Sequence, residues 1–312
     1  MYREISYPMV SVMIPTYGQD KYIEKTVRSA LSQDYPSLEI VISDDCSPDS
    51  TQEICEKLAL EHPIVRYYRN STNLGRVKNY HETLYNRVQG DYVVNLDGDD
   101  LFIDSTFIRK GVERLGAEEE QDKPQVYIAC KRLYYMSTGK YIENTHNIPD
   151  TIKIIEGREF FMGAYNKYKF SHLTTIFKRE DALKLDFYNL DVISSDSASL
   201  YKLIAHSKVI LSKEVVGQWN MMNSNESLSP IFEKHLDNLK WIDTVDEYSK
   251  TLIPKRCRLA WKWKSLYYYG RSVYNTFILN ENRSYSNFKK IISNKFFIYL
   301  LLFLPAFILK RK

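Results

Sequence analysis

The sequence lacks several features that whole classes of protein require. Neither a metal-binding spacing nor a Cys-x-x-Cys pair occurs among its four cysteines, which are Cys46, Cys55, Cys130 and Cys257. The absence of both patterns argues against a zinc site, a dithiol redox centre and a disulfide framework. Residues 1–8 contain no apolar stretch of the kind that a secretory signal needs. We therefore expect buried free thiols in a reducing compartment, in the cytosol or on the cytosolic face of a membrane.

The chain also lacks a strong charge of either sign. Its net charge is +4 over 312 residues, which is too small to predict a nucleic-acid partner. The positive charge is uneven, because the segment from Lys255 onward is rich in Lys and Arg and poor in acidic residues. This asymmetry points to an anionic surface, and a membrane surface fits best. A Ser-His or Cys-His pattern typical of nucleophilic catalysis is absent as well.

What the sequence does contain, over its first hundred residues, is a regular alternation of apolar runs and helical patterns. The predicted strands cover residues 10–14, 39–43, 65–68 and 92–96. The predicted helices cover residues 22–31, a stretch from Ser50 onward, and 77–87. Strands and helices in this order are typical of an α/β fold, in which helices cover a parallel sheet.

Polar segments follow three of these predicted strands directly. They are Thr16-Tyr17, Asp44-Asp45 and Asp97-Gly98-Asp99-Asp100. Ligands of open α/β sheets bind outside the carboxyl ends of the strands. We therefore expect the three segments to meet at one edge of the sheet and to form a binding site there.

The densest of these segments places three carboxylates in four residues, Asp97 to Asp100. Like charges held this close repel and raise each other's pKa. A hard divalent cation removes that cost, and carboxylate oxygens are the ligands that Mg²⁺ or Mn²⁺ prefers. The alternative is an Asp-rich loop before a helix that Asp104 or Ser105 caps.

Four segments resemble the family 2 glycosyltransferases in order and spacing. They are residues 12–17, residues 42–51, Asn73-Leu74-Gly75 and residues 95–100. The resemblance is specific over residues 9–105, continues more weakly to about residue 230, and does not cover the C-terminal extension. It implies the A-type glycosyltransferase fold, which is Rossmann-like with a mostly parallel central sheet flanked by helices. It also implies an inverting enzyme with a nucleotide-diphosphate sugar as donor, a UDP-sugar being the expected one.

The resemblance further implies a donor site. Asp99 would be the direct ligand of a Mn²⁺ or Mg²⁺ ion, with Asp97 as the second metal-site residue or turned toward the ribose or sugar. Asp44 or Asp45 would contact the base or ribose. The charge of Arg76 and Lys78 suits a diphosphate, although exposed basic residues at a helix start explain them equally well. The full set of implied nucleotide-binding residues is Pro15, Thr16, Tyr17, Asp44, Asp45, Arg76, Lys78, Asn79, Asp97 and Gly98.

The family's catalytic base is usually an Asp in a Glu-Asp dipeptide just before a helix. The matching residue here is Asp196, and Ser195 replaces the preceding acid. Asp196 would act as general base on the acceptor. A helix cap is the alternative role for this segment, and Asp186 and Asp191 compete as bases.

A second departure concerns a His that the family often has near the end of the domain, where it helps to bind metal or diphosphate. No His lies between His206 and His235. Either an Asn of the segment 218–225 takes its place, or metal binding rests on Asp99, the diphosphate and water. We expect His172, near a predicted strand edge, on the acceptor side or in a structural role rather than as a ligand.

Three parts are expected along the chain: a catalytic domain over 1–229 that binds donor and acceptor, a helical extension over 230–290, and a hydrophobic, basic-flanked tail over 291–312. The apolar run Phe296–Leu309 would span roughly 21 Å as a helix, short of the ~30 Å hydrocarbon core. Pro305 would also kink it. We therefore expect a tail that lies in the interface on the cytoplasmic face, peripheral or C-terminally anchored. A buried helix or an oligomer contact is the alternative.

These observations predict a metal-dependent inverting glycosyltransferase. Its acceptor would be a saccharide or a lipid-linked saccharide, in surface polysaccharide (O-antigen or capsule) biosynthesis at the cytosolic membrane surface; the lipid-linked part is analogy. A sugar nucleotidyltransferase is one alternative, but it would need a Gly-rich basic loop after the first strand, and residues 15–20 lack it. A non-catalytic, membrane-associated nucleotide or carbohydrate binder is the other.

Overall fold

The computed structural model describes residues 7–116, 124–222, 225–277 and 283–294. The strands are β1 (Val10–Thr16), β2 (Leu38–Asp44), β3 (Val65–Arg69), β4 (Tyr92–Asn95), β5 (Leu101–Phe102), β6 (Val126–Tyr135), β7 (Lys140–Asn144), β8 (Ile152–Glu156), β9 (Thr175–Lys178) and β10 (Lys208–Met221). The helices are α1 (Ile23–Leu31), α2 (Thr51–Glu61), α3 (Arg76–Glu82), α4 (Phe107–Gly116), α5 (Gly157–Gly163), α6 (Arg179–Lys184), α7 (Ser195–His206), α8 (Phe232–Asn238), α9 (Lys240–Tyr248), α10 (Lys255–Phe277) and α11 (Tyr285–Ser293).

The strands form a single sheet in the order β3-β2-β1-β4-β9-β6-β10-β5, with β7 beside β6 and β8 beside β10. The first four strands pair in parallel, as their alternation with helices predicts. Strand β9 then runs antiparallel to both of its neighbours, and β6 runs parallel to β10. The α/β prediction is confirmed, and the sheet is parallel in its first half and mixed in its second.

The second half of the sheet differs from the sequence prediction in detail. The apolar runs 208–211 and 215–219 each predict a separate strand, but in the structure they are one strand, β10. Its register on β6 shifts between Leu211 and Val215 and again before Gly217, so a bulge accommodates the polar residues that read as a loop. The apolar pattern of residues 173–177 also predicts a strand, but the strand begins later, because His172–Thr174 form a 3₁₀ turn before β9.

Backbone hydrogen bonds tie the three polar loops together at the carboxyl edge of the parallel strands. The Asp45 amide donates to the Thr16 carbonyl at 2.9 Å, and the Gly98 amide donates to the Pro15 carbonyl at 3.2 Å. Gly98 is required by close approach, because a Cβ there would lie 2.6 Å from Thr16 Oγ1. The expectation that these segments meet at one edge is confirmed.

The C-terminal helices share a hydrophobic core with the rest of the fold. The ring of Trp261 on α10 lies 5.2 Å from the rings of Phe161 on α5 and Tyr201 on α7, measured between centroids. Trp241 on α9 lies 5.8 Å from Tyr201 in the same cluster. The predicted boundary at 229/230 therefore divides a continuous core, and we propose that residues 230–277 fold together with the domain before them.

The predicted membrane tail, Phe296–Leu309, lies outside the described residues. Among the helices that are described, none combines the length and the apolar composition needed to cross a bilayer.

Trp261→Ala should destabilise the whole chain. Trp261 is fully buried, and removing a buried aromatic ring costs about 3–5 kcal/mol. Trp263→Ala is the matched control two residues away, because that side chain is 50% exposed and should cost no more than about 0.5 kcal/mol. The measurement is urea unfolding followed by fluorescence and far-UV circular dichroism. Loss of α10 alone, in a separate early transition, would contradict a shared core.

Candidate active site

Asp97, at the end of β4, is held by hydrogen bonds from several elements. Its Oδ1 accepts from the Tyr80 hydroxyl at 2.6 Å and from Asn95 Nδ2 at 2.9 Å. Its Oδ2 lies 3.2 Å from His172 Nε2. Burial alone would raise the pKa of Asp97, but the charge and hydrogen bond of His172, with the Tyr80 and Asn95 hydrogen bonds, lower it well below the usual value. Asp97 is therefore a fixed carboxylate anion.

His172 also faces the predicted base. Its Nδ1 lies 3.6 Å from Asp196 Oδ2, and the two side chains are 12% and 21% exposed. Burial lowers the pKa of the His172 imidazole, but the carboxylates of Asp97 and Asp196 outweigh burial and raise it. Asp196 lies in the first turn of α7, which brings it to the sheet edge from outside the sheet. One imidazole thus joins the end of β4 to the start of α7.

Asp99 and Asp100 are the two carboxyl groups of the acidic cluster whose pKa values are raised. Burial, and then the charge of Asp97, raise the pKa of Asp99 to about 7. Burial and the charges of Asp99 and Asp97 raise the pKa of Asp100 well above its usual value. The Asp100 carboxylate accepts from the Asn220 amide at 2.9 Å, and the Asn220 side chain donates to the Asp99 carbonyl. Asn220, within the segment where an Asn replacement for His was considered, therefore supports this loop through the backbone.

Asp44 lies beneath the site in a closed hydrogen-bond network. It is fully buried, and it accepts from the Ser47 amide at 2.8 Å and from the Tyr67 hydroxyl at 2.7 Å. These bonds fix the loop after β2. A direct contact of Asp44 with a base or ribose stays a prediction.

Asp45 shapes the Asn-Leu-Gly turn. Its carboxylate accepts from the amides of Leu74 and Gly75 and from Asn70 Nδ2, each at 2.8 Å. Gly75 has a φ of 89°, a conformation that favours glycine, and it immediately precedes α3. Asp45 therefore positions the start of α3, and its contact with a ligand also stays a prediction.

The three residues predicted on α3 differ in their surroundings. The Arg76 guanidinium donates to the carbonyls of Val192 and Ile193, at 3.1 and 2.8 Å, and so anchors the segment before α7. The Asn79 amide bonds the backbone and side chain of Ser43 on β2. Lys78 is exposed. Of the three, the structure gives Arg76 a place beside the acidic cluster.

The loop after β1 contributes both buried and exposed groups. Pro15 and Thr16 are buried, and the Thr16 hydroxyl donates to Gln19 Oε1 at 2.7 Å. The Tyr17 side chain is 50% exposed at the same edge, so its ring face is accessible to a planar ligand.

The competing bases lie apart from the His172 contact. Asp186 is exposed and accepts from Asn189 Nδ2 at 2.6 Å, and Asp191 is exposed as well. Of the three aspartates considered, Asp196 is the one in contact with the cluster around Asp97.

Comparison with known proteins identifies the family. The family model for Glycosyl transferase family 2 matches residues 11–185, which is more than half of the chain. The chain belongs to this family.

This glycosyltransferase family 2 chain is also similar to two curated relatives and to two solved structures. Poly(ribitol-phosphate) beta-N-acetylglucosaminyltransferase TarS of Staphylococcus aureus is 29% identical over 186 residues, which are 50% of this chain and 32% of TarS. The GalNAc(5)-diNAcBac-PP-undecaprenol beta-1,3-glucosyltransferase of Campylobacter jejuni is 29% identical over 109 residues, 34% of this chain and 35% of the relative. The chain thus spans about a third of the length of these relatives.

The crystal structure of TarS 1–349 from S. aureus in complex with UDP has a TM-score of 0.67 at 18% identity, over 87% of this chain and 75% of that one. The mannosyltransferase PcManGT from Pyrobaculum calidifontis, in complex with GDP-Man and Mn²⁺, has a TM-score of 0.63 at 17% identity, over 99% and 89%. At this identity the likeness concerns the fold. The predicted A-type glycosyltransferase fold is confirmed.

The acidic cluster of this family 2 chain offers limited ligands for a metal. Within the described ranges, no three His, Cys, Asp or Glu side chains are arranged to hold an ion. Both oxygens of Asp97 already have partners in Tyr80, Asn95 and His172, and a role of Asp97 as a metal ligand stays a prediction. Asp99 fits a metal-ligand role, because a nearby cation would offset the burial and the Asp97 charge that raise its pKa. Mg²⁺-type ions often bind one or two carboxylates and complete their shell with substrate phosphates and water.

Sequence reasoning did not identify Lys131 on β6. Its ammonium lies 4.2 Å from the centroid of the Trp219 ring. Burial lowers the pKa of Lys131, and the charges of Asp100, Asp196 and Asp97 oppose that effect. A lone Lys inside an apolar strand gives no sequence signal, because only the pairing of β6 with β10 brings it beside the cluster.

Proposed function

We propose that this chain is an inverting glycosyltransferase that moves a sugar from a nucleotide-diphosphate donor, most simply a UDP-sugar, to an acceptor hydroxyl. One observation carries the proposal: His172 contacts Asp97 and Asp196 at 3.2 and 3.6 Å, so a predicted base lies beside the carboxylates expected to meet the donor. The UDP named in the TarS structure supports the choice of nucleotide.

The proposed chemistry is a single displacement. Asp196 accepts the proton of the acceptor hydroxyl while that oxygen attacks the anomeric carbon. The bond from this carbon to the diphosphate oxygen breaks, and the nucleoside diphosphate leaves from the opposite face. The anomeric configuration is therefore inverted. Asp196 can act without a covalent intermediate, and it lies in the first turn of α7.

Asp99 would hold a Mn²⁺ or Mg²⁺ ion together with the donor diphosphate, and Asp97 would face the ribose or sugar. When bound, such an ion neutralises negative charge on the departing diphosphate. The Mn²⁺ named in the PcManGT complex supports this assignment. Arg76, 5.4 Å above the Tyr80 ring, adds a positive charge beside Asp97 and Asp196.

The nucleotide would lie over the loops after β1 and β2. Tyr17 would stack on the base, and Pro15, Thr16 and Gly98 would form the floor of the pocket. The remaining predicted donor residues, Asp44, Asp45, Lys78 and Asn79, would act mainly by shaping or charging that surface.

The acceptor we propose is a saccharide or lipid-linked saccharide of a bacterial surface polysaccharide. The names of the TarS and Campylobacter relatives, a poly(ribitol-phosphate) and an undecaprenol-linked glycan enzyme, support this class. The basic, apolar segment 291–312 supports work at the cytoplasmic face of a membrane.

Asp196→Asn should abolish turnover and preserve donor binding, because an amide cannot accept the acceptor proton. Loss of a general base typically lowers the rate about 10²- to 10⁴-fold. The measurement is nucleotide release from UDP-GlcNAc, UDP-glucose and GDP-mannose, with UDP affinity by calorimetry. Asp191→Asn is the matched control and should behave like wild type. If Asp191→Asn abolishes turnover and Asp196→Asn does not, Asp191 is the base. Donor binding without turnover in the wild type would favour a non-catalytic binder.

Asp99→Ala should weaken Mn²⁺-dependent UDP binding and leave the fold intact, because it removes the carboxylate best placed for the ion. The measurement is the UDP affinity with and without Mn²⁺, at unchanged melting temperature. Asp150→Ala, at an exposed position, serves as the control. An unchanged Mn²⁺ enhancement in the Asp99 variant would rule out this assignment.

Truncation before Lys295 should abolish binding to membranes and leave donor binding in place. The removed run contains fourteen apolar residues with basic residues at both ends, which suits an anionic interface. The measurement is flotation with phosphatidylglycerol vesicles, and phosphatidylcholine vesicles are the control. Equal flotation of both proteins would refute the anchor, and loss of UDP binding and of cooperative melting would show a buried helix instead.

A further inference from the structure

His172 occupies a position that the proposed chemistry does not yet use. It comes from the 3₁₀ turn before β9, whereas Asp97 follows β4 and Asp196 begins α7. Each ring nitrogen faces one of these carboxylates, with Nε2 3.2 Å from Asp97 and Nδ1 3.6 Å from Asp196. Three separate elements therefore meet at one imidazole.

The surroundings of the ring fix it on the Asp97 side. The Tyr80 ring meets the His172 ring edge-on, with centroids 6.1 Å apart, and the Tyr80 hydroxyl bonds the same carboxylate that His172 bonds. The turn that carries His172 is closed by the Thr174 amide, which donates to the Ser171 carbonyl at 3.2 Å. Rotation of the imidazole away from Asp97 would break a packed, hydrogen-bonded arrangement.

The ring nitrogen of His172 that faces Asp196 is Nδ1. Nδ1 is buried and has no hydrogen-bond partner in the part of the chain that the structure describes. The Asp196 oxygen at 3.6 Å is just beyond hydrogen-bond distance. A buried nitrogen without a partner is costly, so a small movement of the Asp196 side chain toward Nδ1 is favoured.

We propose that His172 is a positioning residue that holds the base Asp196 near the donor-side carboxylate Asp97, through Nε2 at 3.2 Å from Asp97 and Nδ1 at 3.6 Å from Asp196. This inference rests on the proposed function, because it takes Asp196 as the base. Transfer needs the acceptor oxygen and the anomeric carbon in near-attack geometry, and misplacement by about 1 Å can cost 10²-fold in rate. His172 sets that geometry without touching either substrate.

Two substitutions separate the two contacts. In His172→Gln the amide nitrogen takes the place of Nε2, so the Asp97 contact is kept and the Asp196 contact is lost. In His172→Asn the amide nitrogen takes the place of Nδ1, so the Asp196 contact is kept and the Asp97 contact is lost. His81→Gln is the control, since His81 lies on α3 and stacks on Tyr85 at 4.0 Å, outside the cluster.

The test measures kcat and KM on the full chain with UDP-GlcNAc, UDP-glucose and GDP-mannose, and UDP affinity with Mn²⁺. His172→Gln should lower kcat roughly 10²-fold and leave UDP affinity within a few-fold of wild type. His172→Asn should instead weaken UDP binding and retain more of kcat. If both variants show the same profile, or lose only melting temperature, His172 is merely structural and the proposal is wrong.

A double variant tests whether His172 acts through Asp196. The variant that combines His172→Gln with Asp196→Asn should be no slower than Asp196→Asn alone, because residues that act as a unit are not additive. Multiplied losses would overturn the proposal.

A crystal structure of His172→Gln provides a readout that does not depend on turnover. The Asp196 carboxylate should then be displaced or occupy more than one rotamer. A wild-type protein that binds UDP but releases no nucleotide would refute the proposed function, and the crystal structure would still decide the role of His172. An unmoved Asp196 carboxylate would contradict the proposed positioning role of His172.

Discussion

Mutual repulsion among Asp97, Asp99 and Asp100 is the constraint around which this fold is arranged. Three carboxylates follow one buried strand, and each of them has different neighbours. Asp97 is held by Tyr80, Asn95 and His172, and Asp100 by the backbone of β10. Asp99 retains a pKa of about 7 and is the carboxylate that a cation would stabilise most. Strands from both halves of the sheet therefore converge on one edge.

The parallel half of the fold was predictable because its signals are local. Strands β1, β2 and β4 are each a buried, mostly apolar run followed by a polar loop, and helices with clear spacing separate the strands along the chain. The mixed half was less predictable, because polar residues interrupt one of its strands and no alternation with helices indicates its antiparallel pairings. Strand β10 contains polar residues at Lys213 and Glu214, which read as a break, and only its pairing with β6 and β8 shows that it continues.

The candidate site was predictable to the extent that its residues form compact motifs. Segments after strand ends predicted which residues would meet, and the resemblance to the family's catalytic base indicated Asp196. Lys131 reaches the site singly, and no pattern around it indicates a role. His172 was expected on the acceptor side or in a structural role, and an Asn of residues 218–225 was considered, but the contacts of His172 and Asn220 with the acidic cluster were not predicted. The sequence also did not indicate that Asp44 and Asn79 are buried. Both residues match the family motif, yet their polar atoms bond neighbouring loops and strands. A motif residue can thus act by supporting a pocket.

The central claim is that the donor and its metal bind where Asp99, Asp97 and Asp196 meet. Diffraction from a crystal soaked with UDP and MnCl₂, recorded to give the anomalous signal of manganese, tests it most directly. The account predicts an anomalous peak within coordination distance of the Asp99 carboxylate and of the diphosphate, with uracil on the Tyr17 side of the sheet edge. A peak bound to other residues, or UDP bound away from the ends of β1, β2 and β4, would contradict it.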